Sequence, residues 1–155
     1  MRIRTMLLTL ATCLVGLTLS FAGENPNMGT WKLNEAKSKI PAGMAKNVTV
    51  VYEAAGDSVK ATVDGVDGKG SPTHSEWTGK FDGKDYPVTG DPNSDARSLK
   101  IVNDRTLALA VKKDGKVTMS GKIVLSADGK VRTVTISSTG SDGKKMTGKA
   151  VYDKQ

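Results

Sequence analysis

This sequence predicts an all-β fold, an antiparallel up-and-down β-barrel of about 8–10 strands with a short helical segment between the first two. Three observations lead there. Asp-Gly-Lys occurs five times, at Asp67-Gly68-Lys69, Asp82-Gly83-Lys84, Asp114-Gly115-Lys116, Asp128-Gly129-Lys130 and Asp142-Gly143-Lys144. Asp-Gly suits a type I′ hairpin turn, whose two central residues need positive φ, because Gly adopts it freely and Asp tolerates it. Most of these turns stand 14 or 15 residues apart, which leaves room for one strand of about 8–11 residues each time. The segments between them are rich in Val, Thr and Ile and alternate in polarity, as strands with one buried and one wet face do. Such a series of hairpins can close on itself or split into a sandwich. Closure is preferred, because neighbour-to-neighbour turns need no strand to cross between sheets and closing removes unpaired edges.

The elements follow in order. After a Pro/Asn leader at 24–28, the first strand occupies 29–33. Asn34 can cap a helical turn over 35–40, its side chain accepting from orphan backbone N–H groups, and Pro41 and Gly43 end that turn. Strands two to six are read at 47–54, 58–66, 73–80, 84–88 and 96–102, and strands seven to ten at 106–112, 116–126, 130–137 and 145–153. Period-2 faces place Val48, Val50 and Tyr52 on one side, with Val59, Ala61 and Val63 on the next strand. Leu107, Leu109 and Val111, then Val117, Met119, Ile123 and Leu125, and finally Val134 and Ile136 continue the expected core.

Residues 1–22 are expected to lie outside the fold. Arg2 and Arg4 form a basic start, Met6 to Leu19 is apolar, and Ser20-Phe21-Ala22 offers small residues for cleavage, the order of a secretory signal peptide. The domain is then 23–155, and the protein is expected to be secreted or periplasmic. Leu10-Ala11-Thr12-Cys13 partly resembles a lipoprotein box, but Thr12 stands where a smaller residue is usual and the apolar run continues past Cys13. Cleavage removes this single cysteine, so no disulfide is expected. No later stretch is long and apolar enough for a membrane-spanning helix. The formal charge of +7 falls to +5 on losing the two arginines. The remaining lysines are scattered through turns and strand exteriors without a basic block, which argues against nucleic acid as a partner.

Gly29-Thr30-Trp31, preceded by a Pro/Asn turn, resembles the Gly-x-Trp opening of the lipocalin and fatty-acid-binding-protein superfamily. Gly29-Thr30-Trp31-Lys32-Leu33-Asn34 and Lys84-Asp85-Tyr86-Pro87-Val88-Thr89-Gly90 are also similar to stretches of small bacterial secreted proteins of that type. The resemblance implies a barrel whose Trp31 plugs the closed end, with a basic side chain from a late strand packed on it; Arg132 and Lys149 both qualify. It implies a binding habit and no particular ligand.

Candidate chemistry is sparse. His74 and Glu76 stand two apart on one face of the fourth strand and can form an acid/base pair if that face points inward. As metal ligands they fall short, since catalytic zinc usually takes three protein ligands and this is the sole histidine. Asp91-Pro92-Asn93-Ser94-Asp95 has the spacing that opens a calcium loop, but Ala96 and Val102 stand where the turn Gly and closing Glu belong. No metal or cofactor is expected. Small aliphatics dominate the interior, and a barrel so lined can leave room for one small ligand. The leading expectation is a non-enzymatic binder of a small, partly apolar molecule, lined by Trp77, Tyr52, Met119 and Leu109. The alternatives are a filled barrel acting through its surface, and a hydrolase or isomerase using His74 and Glu76.

Overall fold

Ten strands form where polarity alternates: β1 (Gly29–Leu33), β2 (Lys46–Ala55), β3 (Ser58–Val66), β4 (Pro72–Gly79), β5 (Tyr86–Thr89), β6 (Ala96–Asn103), β7 (Thr106–Lys113), β8 (Lys116–Leu125), β9 (Val131–Thr139) and β10 (Lys145–Lys154). The structure, a computed structural model, describes residues 25–139 and 143–155. The expected signal peptide, Cys13 and Asp142 lie outside the described residues. Every strand pairs antiparallel with its sequence neighbours, and β1 pairs with β10 as well as β2, so the sheet closes into an up-and-down barrel. Closure pairs the first and last strands, which would otherwise be the free edges of the sheet. The weakest seam is β5, which shares only two register pairs with β4 and two with β6. It starts at Tyr86, later than the expected 84, because Lys84 N–H is taken by the Asp82 carboxylate.

Turn chemistry differs from the expected type I′ pattern. Among the described Asp-Gly pairs only Asp114-Gly115, a two-residue connection, has positive φ at both positions, 50° and 74°. At the other described Asp-Gly pairs the connection is longer, and the carboxylate holds the turn by accepting backbone N–H groups. Asp67 accepts from Lys69 and Ser71, and Asp128 accepts from Lys130.

Of three register shifts, at Asn47/Thr49, Ile101/Asn103 and Val111/Lys112, two move residues expected in the core. On β2 the register slips between Asn47 and Thr49, and Val48, expected in the core, is 42% exposed. On β8 the slip opposite Val111 and Lys112 puts Val117 outside at 56% exposure. An extra residue in one strand of a pair breaks the period of two, which simple alternation cannot anticipate. The helical segment is also shorter than expected: a 3₁₀ turn covers Glu35–Lys37, capped by Asn34, whose side chain accepts from Lys37 N–H. It stops early because Lys39 exchanges backbone hydrogen bonds with Lys149.

The core runs along the barrel axis. Trp31, Ala61, Trp77 and Leu99 are at most 1% exposed, with Val50, Tyr52, Leu107, Ile123, Leu125 and Tyr152 around them. At one position a glycine is required by packing. A Cβ on Gly79 would meet the Tyr86 and Trp77 rings at 2.5 and 2.6 Å; its absence lets those rings meet edge to face, 6.0 Å apart.

Candidate ligand cavity

Alternation turns one side chain in two toward the barrel axis, and on β2, β7, β8, β9 and β10 those side chains stop short of filling it. They enclose a chamber of about 100 Å³, walled by Val50, Tyr52, Leu109, Val111, Met119, Ile123, Val134, Ile136, Ala150 and Tyr152. Ile40 and Ala45, from the segment between β1 and β2, complete one side. A wider vestibule of about 470 Å³ adjoins it, bordered by polar groups including Thr73, Ser75, Asp91, Thr118 and Ser138. Asn47, Val63, Arg97, Val111 and Met119 border both spaces and form the neck between them. The bulge at Val48 is what brings the neighbouring Asn47 to that neck.

Two arginines face this mostly apolar interior. Arg132, on β9, is 3% exposed and its guanidinium lies over Trp31, Tyr52 and Tyr152, with its carbon 5.2, 5.2 and 4.9 Å from the ring centroids. Ring quadrupoles offset part of the cost of burying that charge. Its Nε and Nη1 are sealed from solvent without a hydrogen-bond partner. Arg97, on β6, is half-buried as a residue, with its Nε likewise sealed and unpartnered. Among the described residues neither arginine has an ion-pair partner. Burial pushes the Arg97 guanidinium below its ordinary range; the charge of Arg132 acts in the same direction, while Tyr52 and Asp91 favour the charged form. Burial also raises the Tyr152 phenol to about 12, against an opposing pull from Arg132.

The residues singled out in the sequence separate. Tyr52, Leu109 and Met119 come together in the chamber wall. Trp77 borders neither space: it is stacked on Phe81 at 6.4 Å, meets Tyr86 edge to face, and its Nε1 donates to the Arg97 carbonyl at 2.9 Å. It is a packing element that fixes the backbone of Arg97. Trp31 is fully buried, its Nε1 donating to the Asn27 carbonyl at 2.9 Å. Arg132, and not Lys149, packs on it, because Lys149 points outward from β10.

On β4 the inward face is Ser75, Trp77 and Gly79, which puts the side chains of His74 and Glu76 on the outer face, although His74 also borders the vestibule. His74 Nδ1 lies 2.6 Å from the Asp64 carboxylate, and Glu76 pairs with Lys60 at 2.7 Å. An acid/base pair working inside the barrel is therefore not formed by these two. The Asp91 carboxylate accepts from Asn93 N–H and Ser94 Oγ as a turn cap. Among the described residues no cluster of three or more His, Cys, Asp or Glu side chains is arranged to hold a metal, and no helix is long and apolar enough to cross a membrane.

Sequence reasoning missed Arg97. The signal was present: Arg97 shares parity with Leu99, which is 1% exposed, as Arg132 does with Val134. A charged residue in register with core positions is the mark of an inward charge.

No protein-family model matches the chain. No curated protein matches it either. Among solved structures, the chain is similar to EF1p2_mFAP2b bound to DFHBI, at 10% identity over 84% of this chain and 94% of that one, with a TM-score of 0.47. It is also similar to mFAP1, a redesigned β-barrel bound to DFHBI, at 16% identity over 83% of this chain and 95% of that one, with a TM-score of 0.44.

Proposed function

We propose that this protein is a secreted or periplasmic, lipocalin-like carrier that binds, without chemical conversion, a small apolar molecule bearing one anionic group. The observation that carries this reading is the pair of inward guanidinium groups, Arg97 and Arg132, with buried N–H groups that no protein atom satisfies in an otherwise apolar wall. A buried donor without a partner costs about 1–3 kcal/mol, and more when charged. An anionic oxygen at the neck supplies the Arg97 guanidinium, which borders both spaces, with a counter-charge. Arg132 is already supported by three rings and contributes chiefly its charge. Tyr52, Leu109 and Met119 would then hold the apolar end. The chamber, at about 100 Å³, is smaller than the ~150 Å³ cavity that admits benzene. A short chain or small ring suits it, with any remainder lying in the vestibule.

Calorimetric titration with hexanoate and with hexanol tests the proposal. Hexanoate should bind the protein at least about tenfold more tightly, since a hydrogen bond to a charged group contributes about 1.5–3 kcal/mol. Arg97→Gln should erase that preference while keeping the fold. Equal binding of acid and alcohol, or binding of neither, would overturn the reading.

A further inference from the structure

Lysines that are scattered in the sequence line up in the fold. Register places Lys100 beside Ala108, Ala108 beside Lys122, Lys122 beside Thr135 and Thr135 beside Lys149. An isolated bridge then sets Lys39 beside Lys149. All four lysines are exposed. With strands about 4.8 Å apart, the row carries a cation roughly every 10 Å across β6–β10 and a further one at the end. The adjacent row, Ser98, Ala110, Ser120, Ser137 and Thr147, is small and mostly hydroxylated.

This half of the barrel differs electrostatically from the other. On β2–β4 most exposed charges are paired, Lys60 with Glu76, His74 with Asp64 and Lys46 with Glu35, Glu53 being the exception. The five strands β6–β10 contain one acidic residue, Asp153, already engaged by Asn34 and Lys37. Asp82 lies across from Lys100, but its carboxylate is held by Lys84 N–H and the Tyr86 hydroxyl. Among the described residues none of the four row lysines has an ion-pair partner. Their charge is complementary to a polyanion.

Shape selects which polyanion. The row runs round five of the ten strands, about half the girth. A flat bilayer touches a cylinder along a line and cannot meet both ends of such a row; a flexible linear chain can follow it. Single-stranded nucleic acid is held largely by stacking on aromatic rings, and the one aromatic residue of β6–β10, Tyr152, is buried. Hydroxyl side chains beside the lysines suit a partner that carries hydroxyl groups between its charges. We infer that the outer face of β6–β10 binds a linear acidic polysaccharide, through Lys100, Lys122, Lys149 and Lys39.

The test measures binding of heparin and of polygalacturonate across a salt series. Two triple variants are compared with the parent: Lys100→Gln/Lys122→Gln/Lys149→Gln, and the control Lys69→Gln/Lys84→Gln/Lys130→Gln, which removes the same charge from turns. The row variant should bind on the order of tenfold or more weakly, with a salt slope lower by about three, one for each lysine removed. The control should change affinity by less than about threefold. Lys122→Glu alone should weaken binding without moving the thermal midpoint, which separates lost contact from lost fold. Equal losses in the two triples would overturn the inference, as would failure of both polysaccharides to bind at low salt. Tighter binding of single-stranded DNA or phosphatidylglycerol vesicles than of either polysaccharide would overturn it too.

Discussion

Trp31→Ala removes one of the largest fully buried side chains of the barrel. Trp31 has no exposed surface, its indole N–H is bonded to the Asn27 carbonyl, and the Arg132 guanidinium and the Lys154 ammonium lie 5.2 and 5.3 Å from its ring centroid. Truncating a buried Trp or Phe to Ala costs about 3–5 kcal/mol through lost transfer energy and a residual cavity. Here the mostly buried Asn27 loses the donor to its carbonyl, about 1 kcal/mol more, and Arg132 loses one of three supporting rings, also about 1 kcal/mol. These terms overlap, so the expected loss is about 5 kcal/mol, the top of the range. Small domains have about 5–15 kcal/mol in all, so Trp31→Phe is the companion that keeps the comparison measurable; it should cost about 1.5–3 kcal/mol. Urea unfolding, followed by circular dichroism and by Trp77 fluorescence, reads both variants. With a slope of about 1–3 kcal/mol per molar, the midpoint for Trp31→Ala should fall by about 2 M or more. A loss below about 1.5 kcal/mol would refute the packing account.

Trp77→Ala should cost about as much, 3–5 kcal/mol, because the ring is stacked on Phe81, meets Tyr86 edge to face and does not form a cavity wall. Gly79→Ala should destabilise by more than about 2 kcal/mol in the same urea assay, since the new methyl group collides with two rings. Tyr152 sets an alkaline limit. Its phenol is raised from 10.0 to about 12 in the folded state, so stability is fully present below pH 10 and is lost between pH 10 and 12, as the unfolded state ionises first. The loss amounts to roughly 2–3 kcal/mol, and unfolding curves of Tyr152→Phe should lack that step. Glu76→Gln, on the outer face and paired with Lys60, should leave hexanoate binding unchanged and the thermal midpoint within about two degrees; a loss of binding would place it back in the site.

The strands and their closure were readable because hydrophobic alternation and turn residues are local signals. Tyr52, Leu109 and Met119 could be placed inside by parity alone. Val48 and Val117 could not, since a bulge depends on how the partner strand pairs. Parity on β4 is ambiguous by itself: Thr73, Ser75 and Trp77 on one face and His74 and Glu76 on the other both include polar groups, and Trp77 decides by its size. The chamber and the lysine row are both products of register. Arg97 meets Arg132 across the interior, and Lys100, Lys122 and Lys149 share a row, only once ten strands are paired in one alignment.

The central claim is that an anionic apolar molecule enters the barrel beside Arg97. Methyl-resolved carbon–proton NMR during titration with hexanoate tests it most directly. Shifts are expected at Val63, Leu109, Val111, Met119 and Ile123, which border the chamber or its neck, while the exposed Ile101, Val102 and Val124 stay still. Shifts confined to the methyl groups of those three surface residues, with the interior unmoved, would contradict it.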